Sequence, residues 1–157
     1  MREQKQLEYM CTRIKDRHLF KAKRIDNGLW ITGNRIDDGV TGQVFIHSSD
    51  DSVNESDKVR EDGCLRFVAC EVEPSTVCEC TGLTDKDDTL IWENDIIEIL
   101  SKDGQFVIEW SDTEAKWQMR NFEEEYTVDF DNYWSHEVEV ISNKFNNPEL
   151  LESEETI

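Results

Sequence analysis

No stretch of the chain approaches the ~18–20 consecutive apolar residues that a membrane-spanning helix needs, which excludes an integral helical membrane protein. Proline is scarce, at two residues, and glycine numbers only seven, so a collagen-like or low-complexity chain is excluded as well. The opening Met1-Arg2-Glu3-Gln4-Lys5-Gln6 leads into no apolar core of signal-peptide length, so we expect no export and a cytoplasmic location. Basic residues are few: 17 Lys+Arg stand against 36 Asp+Glu, a formal net charge of −19 over 157 residues. High charge alone argues for disorder, but five Trp, seven Phe and three Tyr supply the material of a folded core.

The charge is unevenly placed. Residues 1–35 hold nine Lys/Arg and four Asp/Glu, whereas residues 36–157 hold eight and 32. A surface as acidic as the second part repels a phosphate backbone, which disfavours nucleic acid as a partner. Cysteines at 11, 64, 70, 78 and 80 make an odd count with no C-x-x-C pair, which reads as reduced thiols. His18, His47 and His136 form no ligand pattern with them, so no metal and no cofactor is expected. Cys78 and Cys80 flank Glu79 at strand spacing and should point together into a core as small hydrophobes.

Leu7, Met10, Cys11 and Ile14 recur at helical spacing and predict a short helix over 2–15, within a basic arm over 1–19. Beyond it the pattern turns to strands. Phe20 to Ile25 and Leu29 to Thr32 bracket Asp26-Asn27-Gly28, and Asn27-Gly28 as a two-residue turn would set Ile25 against Trp30 and Arg24 against Ile31. Gly39 to His47 reads as a strand with Val40, Val44 and Ile46 on one face, followed by an acidic loop over 48–62. Leu65 to Glu73 returns to strand and Pro74 stops it, which makes Pro74 the natural boundary between a β region over 20–74 and a second one over 75–151. There, Thr76 to Thr81, Ile96 to Leu100, Phe106 to Trp110, Trp117 to Phe122 and Glu137 to Ile141 read as strands. Asp103-Gly104 as a two-residue turn would place Ile99 opposite Ile108, Ile97 opposite Trp110 and Glu98 opposite Glu109, with Ile97, Ile99, Phe106, Ile108 and Trp110 on a buried face. Many short strands with turns between them point to a small antiparallel barrel or sandwich, closed by an acidic tail over 152–157.

Three stretches in order resemble the YopX-like proteins of phages and prophages. FKAKRIDNGLWITG is similar to that family's opening hairpin at Phe20, Lys23, Arg24, Asp26, Asn27, Gly28, Trp30 and Gly33, with Ala22 in place of a usual Gly. EPSTVCECTGLTDKDDTLIWENDII is similar to its central motif at Thr76, Val77, Thr81, Gly82, Leu83, Asp85, Lys86, Ile91, Trp92, Glu93, Asp95 and Ile96. EVISNKFNNPELLE resembles its closing strand and tail. The resemblance spans roughly Phe20 to Leu151. It implies a mainly β fold, with an N-terminal hairpin and sheet region, a C-terminal SH3-like small barrel, and homo-oligomers. It brings no catalytic residues. Asp87-Asp88 and Asn94 stand where the family usually has Asn-Gly and Gly, so left-handed turn geometry is expected at Asn94 and tests the Asp pair.

Three groups of side chains could carry chemistry. Asp85, Asp87, Asp88 and Glu93 offer hard oxygen ligands, but their spacing is not that of an EF-hand, and a solvated turn is the simpler reading. Glu98 against Glu109 would be a carboxylate pair of the kind that shares acid and base roles, yet no nucleophile or His accompanies it, so no enzyme is expected. Residues 122–134, FEEEYTVDFDNYW, alternate aromatics with acids. Phe122, Tyr126, Phe130, Tyr133 and Trp134 could anchor a protein partner inside an acidic rim, and Phe122, Tyr126 and Phe130 recur every four residues as on a helix face. The functional expectation is a non-enzymatic, oligomeric interaction module of a phage or mobile element in its bacterial host. An acidic DNA mimic that blocks a DNA-binding host protein is the alternative. A small-barrel nucleic-acid binder using Arg13, Lys15, Arg17, Lys21, Lys23 and Arg24 is a third, weaker reading.

Overall fold

The computed structural model describes residues 18–48, 58–59, 65–66, 69–102 and 104–152, and the helix expected over 2–15 lies outside them. The fold is mainly β. Its strands are β1 (Phe20–Lys23), β2 (Trp30–Asp37), β3 (Val44–Ser48), β4 (Lys58–Val59), β5 (Leu65–Arg66), β6 (Cys70–Val72), β7 (Cys78–Thr84), β8 (Leu90–Trp92), β9 (Asp95–Ile99), β10 (Gln105–Ser111), β11 (Lys116–Asn121), β12 (Thr127–Asp129) and β13 (Val138–Asn143). Short 3-10 turns occupy Pro74–Thr76 and Pro148–Leu151, and α1 (Asn132–Ser135) is a single turn of helix. No helix among the described residues is long and apolar enough to cross a membrane. The chain divides into two compact units, one ending at Glu79 and the other beginning at Cys80.

In the first unit β1, β2, β3 and β6 pair antiparallel in that order. Alternation puts Ala22, Ile31, Val44, Ile46 and Val72 on one face, and all five are buried in a single cluster. The sheet returns on itself. An isolated bridge joins Arg24 to Val72, with Ile25 N–H donating to Glu71 O at 3.1 Å and Glu73 N–H to Lys23 O at 2.8 Å. β6 therefore has neighbours on both sides, β3 and the end of β1, and the four strands form a closed ring. Thr76 fastens the following turn to it by accepting from Lys23 N–H at 2.9 Å.

The β1–β2 register corrects the two-residue turn. Lys23, not Ile25, faces Trp30, and Ala22 faces Ile31. Only Gly28 takes a positive φ, at +69°, while the Asn27 carboxamide accepts from Leu29 N–H, so the loop is longer than an Asn-Gly turn and the register slips by two. Because the slip is even, every side chain keeps its face. Val40 is also corrected. It sits in the β2–β3 turn at 95 % exposure, since Asp38 accepts from Val40 N–H and holds residues 38–42 as a turn rather than strand. β2 runs on to Asp37 and pairs with β3 from Asp37–Val44 to Gly33–Ser48, so the strand expected over Gly39–His47 begins only at Val44.

The second unit is built on a five-stranded antiparallel sheet, β12-β11-β10-β9-β13. Strands β9 to β12 meander, and β13 returns to the far side of β9. β12 and β13 are its edges. Of the face expected to be buried, Ile97, Ile99, Phe106 and Ile108 are buried, together with Met119, Val138, Ile91 and Phe130, whereas Trp110 is not. Trp110 lies at its end, 42 % exposed and edge-on to Trp117 at 5.2 Å. The β9–β10 register, however, pairs Ile97 with Phe106 and Glu98 with Gln105, four positions from the two-residue turn. Leu100 N–H donates to Glu137 O, one step further along the β9–β13 register, and Lys102 N–H donates to Ile99 O within the longer turn.

Asp88 and Asn94 both take left-handed φ, at 63° and 68°. Asn tolerates that region, whereas an ordinary side chain is strained there. We therefore expect Asp88→Gly to stabilise the protein by about 0.5–1 kcal/mol, read as a higher urea midpoint at unchanged slope.

Candidate functional site

Of the four candidate ligands in the central motif, Asp85 is buried, Glu93 is half-buried, and Asp87 and Asp88 are exposed. Asp85 is 2 % exposed and closes the β7–β8 turn: one oxygen accepts from Asp87 and Thr89 N–H at 2.8 and 3.0 Å. Its other oxygen accepts from Val140 N–H on β13 at 3.0 Å. Lys86 N–H donates to Val138 O beside it. Together they cover the outer edge of β13. Asp95, also buried, accepts from Trp92 N–H at 2.8 Å. Asn121 and Asn143 do the same for the turns after β11 and β13. A buried Asx side chain supplies a turn with the acceptors its backbone lacks, which is why these positions carry Asp or Asn. Asp87 and Asp88 are exposed, and no cluster of metal-binding geometry occurs among the described residues.

The remaining motif positions are also architectural. Three β7 residues, Thr81 to Leu83, face the single Ile91 between the pairs Cys80–Trp92 and Thr84–Leu90. Gly82 takes φ 76° in this bulge, and the Thr81 hydroxyl donates to Ile91 O at 2.7 Å. In the hairpin, Asp26 holds Arg24 through two hydrogen bonds, and the guanidinium lowers the Asp26 carboxyl pKa. Lys21 and Lys23 both lie over the Trp30 ring, at 5.0 and 5.5 Å. Cys78 and Cys80 are buried and in no disulfide, with Glu79 exposed between them.

The Glu98–Glu109 pair does not form. Glu109 faces Gln118 and is held by the Arg120 guanidinium at 2.8 Å, which in turn has its own pKa raised by the carboxylate. Glu98 instead faces Glu139 on β13. That like-charge contact is offset on both sides, by Gln105 Nε2 donating to Glu98 at 3.2 Å and by Lys86 Nζ at 3.7 Å from Glu139.

The aromatic stretch is no helix over 122–130. Tyr126, Val128 and Phe130 alternate inward on and around β12, because a spacing of four is also a multiple of two. Phe130 is core, at 5 % exposure. Tyr126 is half-buried, edge-on to Phe106 at 5.9 Å, and Phe122 is half-buried too. Asp131 then caps α1 by accepting from Tyr133 and Trp134 N–H. Trp134 packs against the core with Lys102 Nζ 5.1 Å above its ring, and Tyr133 stands out at 73 % exposure, edge-on to Trp134. Leu100 is 62 % exposed; its amide bonds the backbone at Glu137, just past α1. Leu100 and Lys102 escaped the sequence reading because they lie across a turn whose length the Asp103-Gly104 signal understates.

Among protein-family models, that of the family described as YopX protein matches residues 16–152. No curated protein matches the chain.

Proposed function

The chain belongs to the YopX protein family, and on that premise we propose that it serves a phage or mobile element as a non-enzymatic, oligomeric protein-interaction module in the cytoplasm of the bacterial host. The observation that carries the reading is the exposure of Tyr133 and Leu100 beside α1 in a strongly acidic unit. Residues 80–152 hold 19 Asp/Glu and five Lys/Arg. Large apolar side chains left in water within a charged rim are what a protein partner buries. The buried acids support the same reading, since Asp85 and Asp95 are committed to backbone amides rather than to substrate.

The test is capture from a host lysate by the wild-type chain and by a Tyr133→Ser/Leu100→Ser variant, with light scattering on each. We expect a protein captured by the wild type to be lost from the variant, and a wild-type mass above that of one chain. Capture of a DNA-binding protein that the double variant retains and that DNA displaces would replace this reading with the acidic DNA mimic. A monomer that captures nothing would end it.

A further inference from the structure

The two edges of the five-stranded sheet are finished differently. On β13 the outward Val140 N–H is taken by the Asp85 carboxylate and the outward Val138 O by Lys86 N–H. An incoming strand finds no free ladder there. On β12 the pattern is the reverse. Tyr126 O accepts from Asn121 N–H and Phe130 N–H donates to Trp117 O, so residues 126, 128 and 130 direct their backbone groups at β11. Antiparallel alternation then turns the N–H and C=O of Thr127 and Asp129 away from the sheet. β12 is the last strand of its sheet, and neither residue bonds a turn or loop backbone among the described residues.

We propose that β12 is a strand-addition edge that accepts an extended, basic segment of a protein partner. The inference rests on the interaction-module reading and specifies how the partner binds. An added strand would gain main-chain bonds at Thr127 and Asp129, and its alternate side chains would meet two different surfaces. On the core side lie the half-buried Tyr126 and Val128, which favour apolar residues. On the other side lie Thr127 and Asp129. Residues 122–134 carry five carboxylates and no Lys or Arg; Lys116, which pairs with Asp129, is shared with Glu114, and Arg120, opposite Thr127, is held by Glu109. Lysine or arginine at every second position of the partner segment complements that face, and apolar residues at the intervening positions extend the core.

The probe is a blocked octapeptide alternating lysine and valine, added to the isotope-labelled full chain at low salt. We expect slowed amide exchange of Thr127 and Asp129, by about tenfold or more, with Val140 unchanged. The glutamate–valine peptide should have no effect, and N-methylation of alternate peptide nitrogens should abolish binding. Thr127→Pro should abolish it too, since the Thr127 N–H lies outside the ladder and its loss leaves the fold intact. Should that variant misfold, the N-methylated peptide carries the same test on the unaltered protein. Binding that shifts Tyr133 and leaves both edge amides unprotected would overturn the strand-addition inference, as would no binding. Either result leaves the interaction module standing if capture still depends on Tyr133 and Leu100.

Discussion

Gly33→Ala should destabilise the first unit by about 3 kcal/mol or more, the largest loss expected from adding one methyl group to this chain. A Cβ built on Gly33 would lie 1.9 Å from the His47 carbonyl oxygen, 2.7 Å from its carbon and 2.9 Å from the Ser48 Cα. All three are backbone atoms of β3, the strand that pairs with β2 here. No rotamer change can relieve the overlap. Either β2 and β3 separate at Gly33–Ser48 or the ring of strands distorts. Gly39→Ala is the control, because its Cβ would meet nothing within 4 Å, and its effect should stay within about 0.5 kcal/mol. Amide exchange resolved by residue is the suitable measurement, since the two units need not unfold together. A Gly33→Ala protein with wild-type protection across β1, β2 and β3 would refute the close approach.

Asp85→Ala should cost about 3 kcal/mol in the second unit. The substitution strands three backbone donors, at Asp87, Thr89 and Val140. Water can replace the carboxylate at exposed Asp87 and Thr89, whereas Val140 is half-buried and lies on another strand. The loss therefore concentrates in the joint between the β7–β8 turn and β13. Asp85→Asn should fall between: its single oxygen can serve the two turn amides, but its NH2 then confronts Val140 N–H. Urea titration gives the ranking, and the Val140 amide should show the greatest gain in exchange rate. Equal stability of all three proteins would mean that this carboxylate is replaceable by solvent.

What the amino-acid pattern disclosed, and what it did not, follows from periodicity. Alternation specifies a face, so it places Ile97, Ile99, Phe106 and Ile108 correctly, but it cannot show that Trp110 at the strand end is 42 % exposed. It does not specify a register, and the Asn-Gly and Asp-Gly signals imply two-residue turns that neither hairpin has. The end of the first hairpin is held by a contact remote in sequence, Ile25 N–H on Glu71 O, and the second hairpin pairs only from Glu98 and Gln105 onward. The Glu98–Glu109 pair was a product of the second error. Tyr126 and Phe130 show the opposite ambiguity, since spacing by four fits helix and strand alike, and the intervening Val128 was the discriminating residue. The motif marks Asp85, but one of its partners, Val140, is 55 positions away, and no local pattern reveals a carboxylate aimed at the edge of a distant strand. Exposure at Tyr133 was likewise out of reach, because α1 is a single capped turn with no amphipathic period to show which ring faces out.

The bridge between Arg24 and Val72 bears on how the first unit forms and comes apart. A sheet with a free edge can fray one strand at a time, whereas a ring has no end to loosen. β6, only three residues long, should therefore exchange its amides in step with β2 rather than ahead of it. The same closure is slow to make. Bringing together segments roughly fifty residues apart costs on the order of 3 kcal/mol in chain entropy before its hydrogen bonds compensate. The β1–β2 hairpin can form early and locally, yet it has no complete ring until β6 arrives. The rate-limiting event in folding this unit is then the arrival of Glu71 and Val72 at the tip of a hairpin already made.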